Sequence, residues 1–154
     1  MSLIFLDSSS VVKRYVSEIG TSWVVNLHKP SSNNIIYVAQ ITGVEVVSAI
    51  SRRLRGNKLT QKSADKAIFR FKRDFTKKLR IIRLNDQIIS EAMRLSEKHF
   101  LRGYDSVQLA IALELEKRFT SQSFSPITFI SADNALNSAA QAEALTVDNP
   151  NNHP

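Results

Sequence analysis

The sequence predicts an α/β fold: a parallel sheet covered by helices on both faces. Two observations carry that prediction. Leu3–Leu6 and Ile127–Ile130 are runs of apolar residues with no polar alternation, as expected of strands buried on both sides. Segments with helical apolar spacing separate them from further short strands, and alternation of this kind argues for parallel strands joined by helical crossovers.

Taken in order, Leu3–Leu6 is the first strand and runs directly into Asp7. Ser8, Ser9 and Ser10 then start a helix, because a hydroxyl accepts from the free N–H groups of a first turn. The spacing of Val11, Val12, Tyr15 and Val16 predicts that helix over 9–17, with Gly20 able to end it. Thr21 is expected to cap a short helix carrying Trp23, Val24 and Leu27, closed by Pro30. Ile35–Val38 reads as the second strand. Thr42 and Glu45 have the spacing of a capping box, and the helix they open runs to Gly56. A further helix starts at Thr60, with Ala64, Ile68, Phe71 and Phe75 as its apolar stripe. Leu79–Leu84 is an expected strand and Asp86–Phe100 an expected helix. Asp105 precedes an apolar helix over Val107–Leu115, which should be deeply buried. After the strand Ile127–Ile130, Asp133 enters a helix through Leu136, Ala139 and Ala140. Thr146 and Val147 suggest a last short strand.

The 154 residues suit one domain, taken as 1–150, with a polar tail at 151–154 that is expected to fray. No apolar run approaches the ~20 residues that span a bilayer. The N-terminus has no signal-peptide pattern, so a soluble cytoplasmic protein is the expectation. Absence of cysteine excludes a disulfide framework and a thiolate zinc site. The net charge of +7 is unevenly spread. The segment from Arg52 to Arg83 holds 13 of the 21 Lys and Arg against Asp65 and Asp74, so it carries +11 and the remainder −4. A basic lobe on an acidic body suggests a polyanion, nucleic acid first, with a solvated lysine-rich face as the ordinary alternative. Arg52, Arg53, Lys66, Arg70 and Arg73 are the candidate nucleic-acid-binding residues.

The acids give the chemistry. Asp7 and Asp133 both end buried strands, so both belong on the carboxyl edge of one sheet, where open α/β sheets bind ligands. Glu45 and Asp105 start helices that can reach the same edge. Each acid also has an ordinary reading as a cap or first-turn acid. Carboxylates gathered in one cleft repel one another, and a divalent cation removes that cost. Mg²⁺ or Mn²⁺ takes oxygen ligands and can activate water for in-line phosphoryl displacement. Acid cleft and basic lobe together fit a metal-dependent nuclease. Asp7, Asp105 and Asp133 are the candidate ligands, and Glu45 either completes the shell or orients the attacking water.

Four stretches resemble the motifs of PIN domains. They are Phe5-Leu6-Asp7-Ser8-Ser9, Val44-Glu45-Val46-Val47-Ser48-Ala49, the run from Leu101 through Asp105 to Ala110, and Phe129-Ile130-Ser131-Ala132-Asp133. In order and spacing they are similar to VapC-type toxin ribonucleases of toxin–antitoxin pairs, from Leu3 to about Pro150. The resemblance implies a three-layer α/β/α sandwich, Mg²⁺ or Mn²⁺ dependence, RNA cleavage, and a homodimer held inactive by a cognate antitoxin. It maps the metal-site acids onto Asp7, Glu45, Asp105 and Asp133, all four catalytic, with Ser131 supporting them from behind. Asn134 supplies no further acid.

Rival readings lack their residues. A dinucleotide site wants a glycine-rich first turn, but serines follow Asp7. A haloacid-dehalogenase-type phosphatase wants an acid where Ser9 stands. A receiver domain wants a phospho-accepting Asp on a middle strand and a late lysine. His28, His99 and His153 are too scattered for a metal site, and Trp23 and the phenylalanines read as core. Glu18 can approach the cleft. A catalytically silent RNA-binding or scaffolding domain is the alternative.

Overall fold

The computed structural model describes residues 2–154. Strands β1 (Leu3–Leu6), β2 (Ile35–Ala39), β3 (Arg80–Ile82), β4 (Ile127–Ile130) and β5 (Thr146–Asp148) form one parallel sheet. Its order is β3-β2-β1-β4-β5, so β1 is central. Among the described residues seven helices surround it: α1 (Ser8–Val11), α2 (Thr21–Leu27), α3 (Thr42–Arg55), α4 (Gln61–Lys77), α5 (Asp86–His99), α6 (Gly103–Ser121) and α7 (Asn134–Ala142). The architecture is the three-layer α/β/α sandwich.

Side chains alternate across a strand, and β1 divides its four residues between two cores accordingly. Leu3 and Phe5 join Leu95, Leu109, Ile111 and Phe129 under α5, α6 and α7. Ile4 and Leu6 join Val38, Val46, Ile50 and Phe71 under α1, α3 and α4. The register sets Phe5 opposite Phe129, with ring centroids 5.8 Å apart. It sets Leu6 opposite Ile130, so Asp7 and Ser131 leave the sheet side by side. β3 and β5 are the edge strands, and at three residues each they leave little unpaired edge.

Several local expectations are corrected. The expected helix over 9–17 is α1 followed by a 3-10 turn, Val12–Arg14, where Tyr15 N and Val16 N both donate to Val12 O. Gly20, at φ +83°, sits at the start of α2. Thr21 does not cap that helix; its Oγ1 accepts from Glu18 N at 2.9 Å. The capping box is not formed either, because α3 begins after Ile41 without a side-chain cap. Asp105 lies inside the first turn of α6, which starts two residues earlier.

Residues 151–154 do not project freely. A turn at Pro150–Asn152 brings Asn151 Oδ1 to 2.8 Å from Lys13 Nζ. The His153 ring stacks on Trp23 at 4.1 Å. Backbone packing explains Gly20 here, since a Cβ at that position would lie 2.3 Å from Pro150 O. No helix among the described residues is long and apolar enough to cross a membrane.

Candidate active site

Asp7 ends β1 and is 3% exposed. Its carboxylate caps α1 through Ser10 N at 3.0 Å. It also accepts from Ser9 Oγ at 2.7 Å and Ser131 Oγ at 2.8 Å. Burial pushes its pKa up to about 6, against the lowering effect of these donors. Capping and cleft location are therefore both true of Asp7.

Asp133 follows β4 by the same logic and caps α7 through Leu136 N at 3.0 Å. Ser131 links the two acids. It is fully buried, donates to Asp7, and accepts from Asp133 N at 3.0 Å. Asp105 makes no hydrogen bond or ion pair among the described residues. Its carboxyl is pushed upward first by burial, then by the charges of Asp133 and Glu45. Three acids from three segments thus face one another closely enough to interact.

Glu45 is held from the side. Its Oε1 accepts from Ser8 Oγ at 2.9 Å and from Gln108 Nε2 at 2.8 Å. Gln108 also reaches Ser8 Oγ at 2.8 Å and Thr42 Oγ1 at 3.0 Å. It is 1% exposed, and its Oε1 has no partner among the described residues. This buried polar knot ties α1, α3 and α6 together behind the acids.

Asp7, Glu45, Asp105 and Asp133 line one cleft of about 610 Å³. Lys13, Arg52, Arg53 and Arg102 line it too, so acids share the cleft with four cations. Glu18 does reach it, paired to Arg53 at 3.2 Å. The remaining candidate RNA contacts lie elsewhere. Lys66 and Arg70 are exposed on α4, outside the cleft lining, and Arg73 is paired to Asp74 at 3.1 Å. The all-oxygen donor set suits a hard cation. Among the described residues, however, no three of these acids are disposed around one point as a metal-holding group. The Asp7 oxygens are engaged instead by serines and a backbone N–H.

No protein-family model matches the chain, and no curated protein is significantly similar to it in sequence. Solved structures match it in fold. The FitAB complex bound to an IR36 DNA fragment aligns with a TM-score of 0.65 at 15% identity, over 96% of this chain and 94% of that one. A toxin–antitoxin complex from Klebsiella pneumoniae aligns at 0.61 and 14%, over 96% and 97%. VapBC2 from Rickettsia felis, bound to a DNA fragment from its promoter, aligns at 0.59 and 14%, over 96% and 98%. The fold is PIN-like.

The PIN-like order makes β1 and β4 adjacent, which is why Asp7 and Asp133 can share Ser131. Sequence reasoning did not single out Gln108 or Lys13 as site residues, and it gave Ser8 and Thr42 only helix-starting roles. Gln108 had a signal: it lies three residues after Asp105, hence on the same helix face, in an otherwise apolar stretch. Lys13 had a weaker one, as one of two adjacent cations, with Arg14, set between the apolar residues Val12 and Tyr15.

Proposed function

We propose that this chain is a metal-dependent endoribonuclease acting as the toxin of a toxin–antitoxin pair. The observation that carries this reading is the meeting of four carboxylates from separate segments in one cleft, with Asp105 raised by burial and then by the charges of Asp133 and Glu45. Such mutual repulsion is what a bound cation relieves. Asp7, Glu45, Asp105 and Asp133 would hold Mg²⁺ or Mn²⁺. The ion would supply charge for the phosphoryl oxygens and a nucleophilic water.

The chain's own residues do the rest. Ser131 fixes Asp7 relative to the Asp133 backbone. Gln108 and Ser8 orient Glu45. Arg52 and Arg102 line the cleft as cations for a phosphate backbone. The same reading takes a cognate antitoxin and a second copy of the chain as partners, in keeping with the toxin–antitoxin complexes that share the fold.

One observation favours the silent RNA-binding alternative: the acids are not drawn around a single point. Cleavage of a panel of structured RNAs separates the readings. Cutting is expected with Mn²⁺ and not with EDTA, and Asp7→Asn and Asp105→Asn should each abolish it while remaining folded. Undiminished cutting in EDTA or in either folded variant overturns the nuclease; RNA binding without any cutting supports the silent domain.

A further inference from the structure

Among the described residues, Lys13 is the one buried cation that the catalytic reading leaves without a task. It is 4% exposed, and its Nζ donates to Ile19 O and Asn151 Oδ1, both at 2.8 Å. Both acceptors are neutral. No carboxylate lies within ion-pair distance of it among the described residues, although it lines the cleft with Asp7 and Glu18. The acids that could have neutralised it are engaged, Glu18 with Arg53 and Asp7 with serines. A buried charge without a counter-ion is costly. A neutral residue of similar length would pack there without that cost, so the packing alone does not account for the charge.

We propose that Lys13 is a substrate-binding residue, and that the counter-ion it lacks is a backbone phosphate of the RNA entering the cleft. An ammonium has three N–H donors. Two are occupied by Ile19 and Asn151, which leaves the third for a ligand. The side chain is immobilised in advance, so little entropy is lost when phosphate arrives. Asn151 is the positioning residue. It is held by the Pro150–Asn152 turn, which rests on Gly20 and is followed by the His153–Trp23 stack. The C-terminal turn thereby becomes part of the substrate site. This inference rests on the RNA-cleaving reading of the same cleft, but its test needs no metal and no turnover.

The test is binding of a labelled single-stranded oligoribonucleotide in EDTA across a salt series, with thermal unfolding to verify folding. Lys13→Met should weaken binding about tenfold, as expected for loss of one charged hydrogen bond. The slope of log K against log salt should flatten by about 0.7, the value of one phosphate contact on a single strand. If Lys13→Met does not fold, Asn151→Asp decides the matter. It keeps the lysine and gives it a carboxylate, so it should flatten the slope more than Asn26→Asp, which adds the same charge at another exposed position, outside the cleft lining. A folded Lys13→Met with wild-type affinity and slope overturns the proposal while leaving the nuclease standing, as does Asn151→Asp behaving like Asn26→Asp. Wild-type protein that binds no RNA in EDTA overturns this proposal, whereas the nuclease reading falls only with the loss of cutting in Mn²⁺.

Discussion

Asp7 is the residue on which stability and chemistry pull in opposite directions. Its folded pKa is about 6 against an ordinary 3.8, because burial penalises the charged form more than its donors favour it. The folded state therefore binds the proton more tightly than the unfolded state. Below the ordinary value Asp7 carries no penalty. As pH rises through the folded value the penalty grows to on the order of 3 kcal/mol. Asp7→Asn keeps a capping oxygen and never ionises. In EDTA it should match wild type near pH 4 and exceed it by about 1–3 kcal/mol near pH 7. Urea unfolding at both values checks this, and a constant difference between them would remove the burial penalty from the account. Asp105 is raised by the same cause and by its acid neighbours. Asp105→Asn should likewise be the more stable protein without metal and should gain less from Mn²⁺. An Asp105→Asn protein less stable in EDTA, with a wild-type metal shift, would mark Asp105 as a helix-terminal acid only.

At the scale of elements, α4 differs most from its sequence reading. Its basic residues divide into two groups. Lys66 and Arg70 are exposed, whereas Arg73 serves Asp74. Asp74 is 2% exposed and gathers Arg14 at 3.7 Å, Arg73 at 3.1 Å, Lys78 at 3.5 Å and the Tyr15 hydroxyl at 3.1 Å. It looked like one of two acids diluting a basic lobe, and it is the electrostatic link between α4 and the segment after α1. Periodicity shows which face of a helix is apolar, but not which polar residue on that face is buried against distant cations. Asp74→Asn should cost about 1–3 kcal/mol in urea unfolding, because it weakens the charged hydrogen bonds to Arg73 and Tyr15 while the released cations remain in reach of solvent. Lys66→Glu with Arg70→Glu should leave unfolding unchanged, weaken RNA binding and flatten its salt dependence. An unaltered slope would make the outer face of α4 a solvated surface.

For the whole molecule, what was legible followed from local pattern. β1 and β4 declared themselves by runs apolar on both faces, and the acids that end them were placed at one edge by topology alone. The broken first helix, the unformed capping box and the docked C-terminal turn were not legible, because each is decided by contacts across the fold. Glu45 is drawn to Ser8 and Gln108, and Pro150 to Gly20. Opposing titrations spread over the molecule also set its pH profile. Burial lowers His28 to about 4 from 6.5, so its neutral form is favoured. Folding then gains as pH rises from about 4 to 6.5, the interval in which Asp7 loses. Towards acid, the bond from Lys98 holds Glu143 down at about 2, assisted by His99 and Arg94. Asp74 is also held below its ordinary range, since its Arg73 and Tyr15 bonds outweigh burial. Both contributions are present above the ordinary carboxylate range and are lost as pH falls below it. The metal-free protein should thus fall in stability below about pH 4 and change little between there and 6.5, while Asp7→Asn climbs through that interval. Mn²⁺ should lift wild type far more near pH 7 than near pH 5, because protons compete for the raised carboxyls at the lower value. Chemical unfolding across pH, with EDTA and with Mn²⁺, reads all three curves. An equal Mn²⁺ effect at both values would mean that the ion does not bind at Asp7 and Asp105.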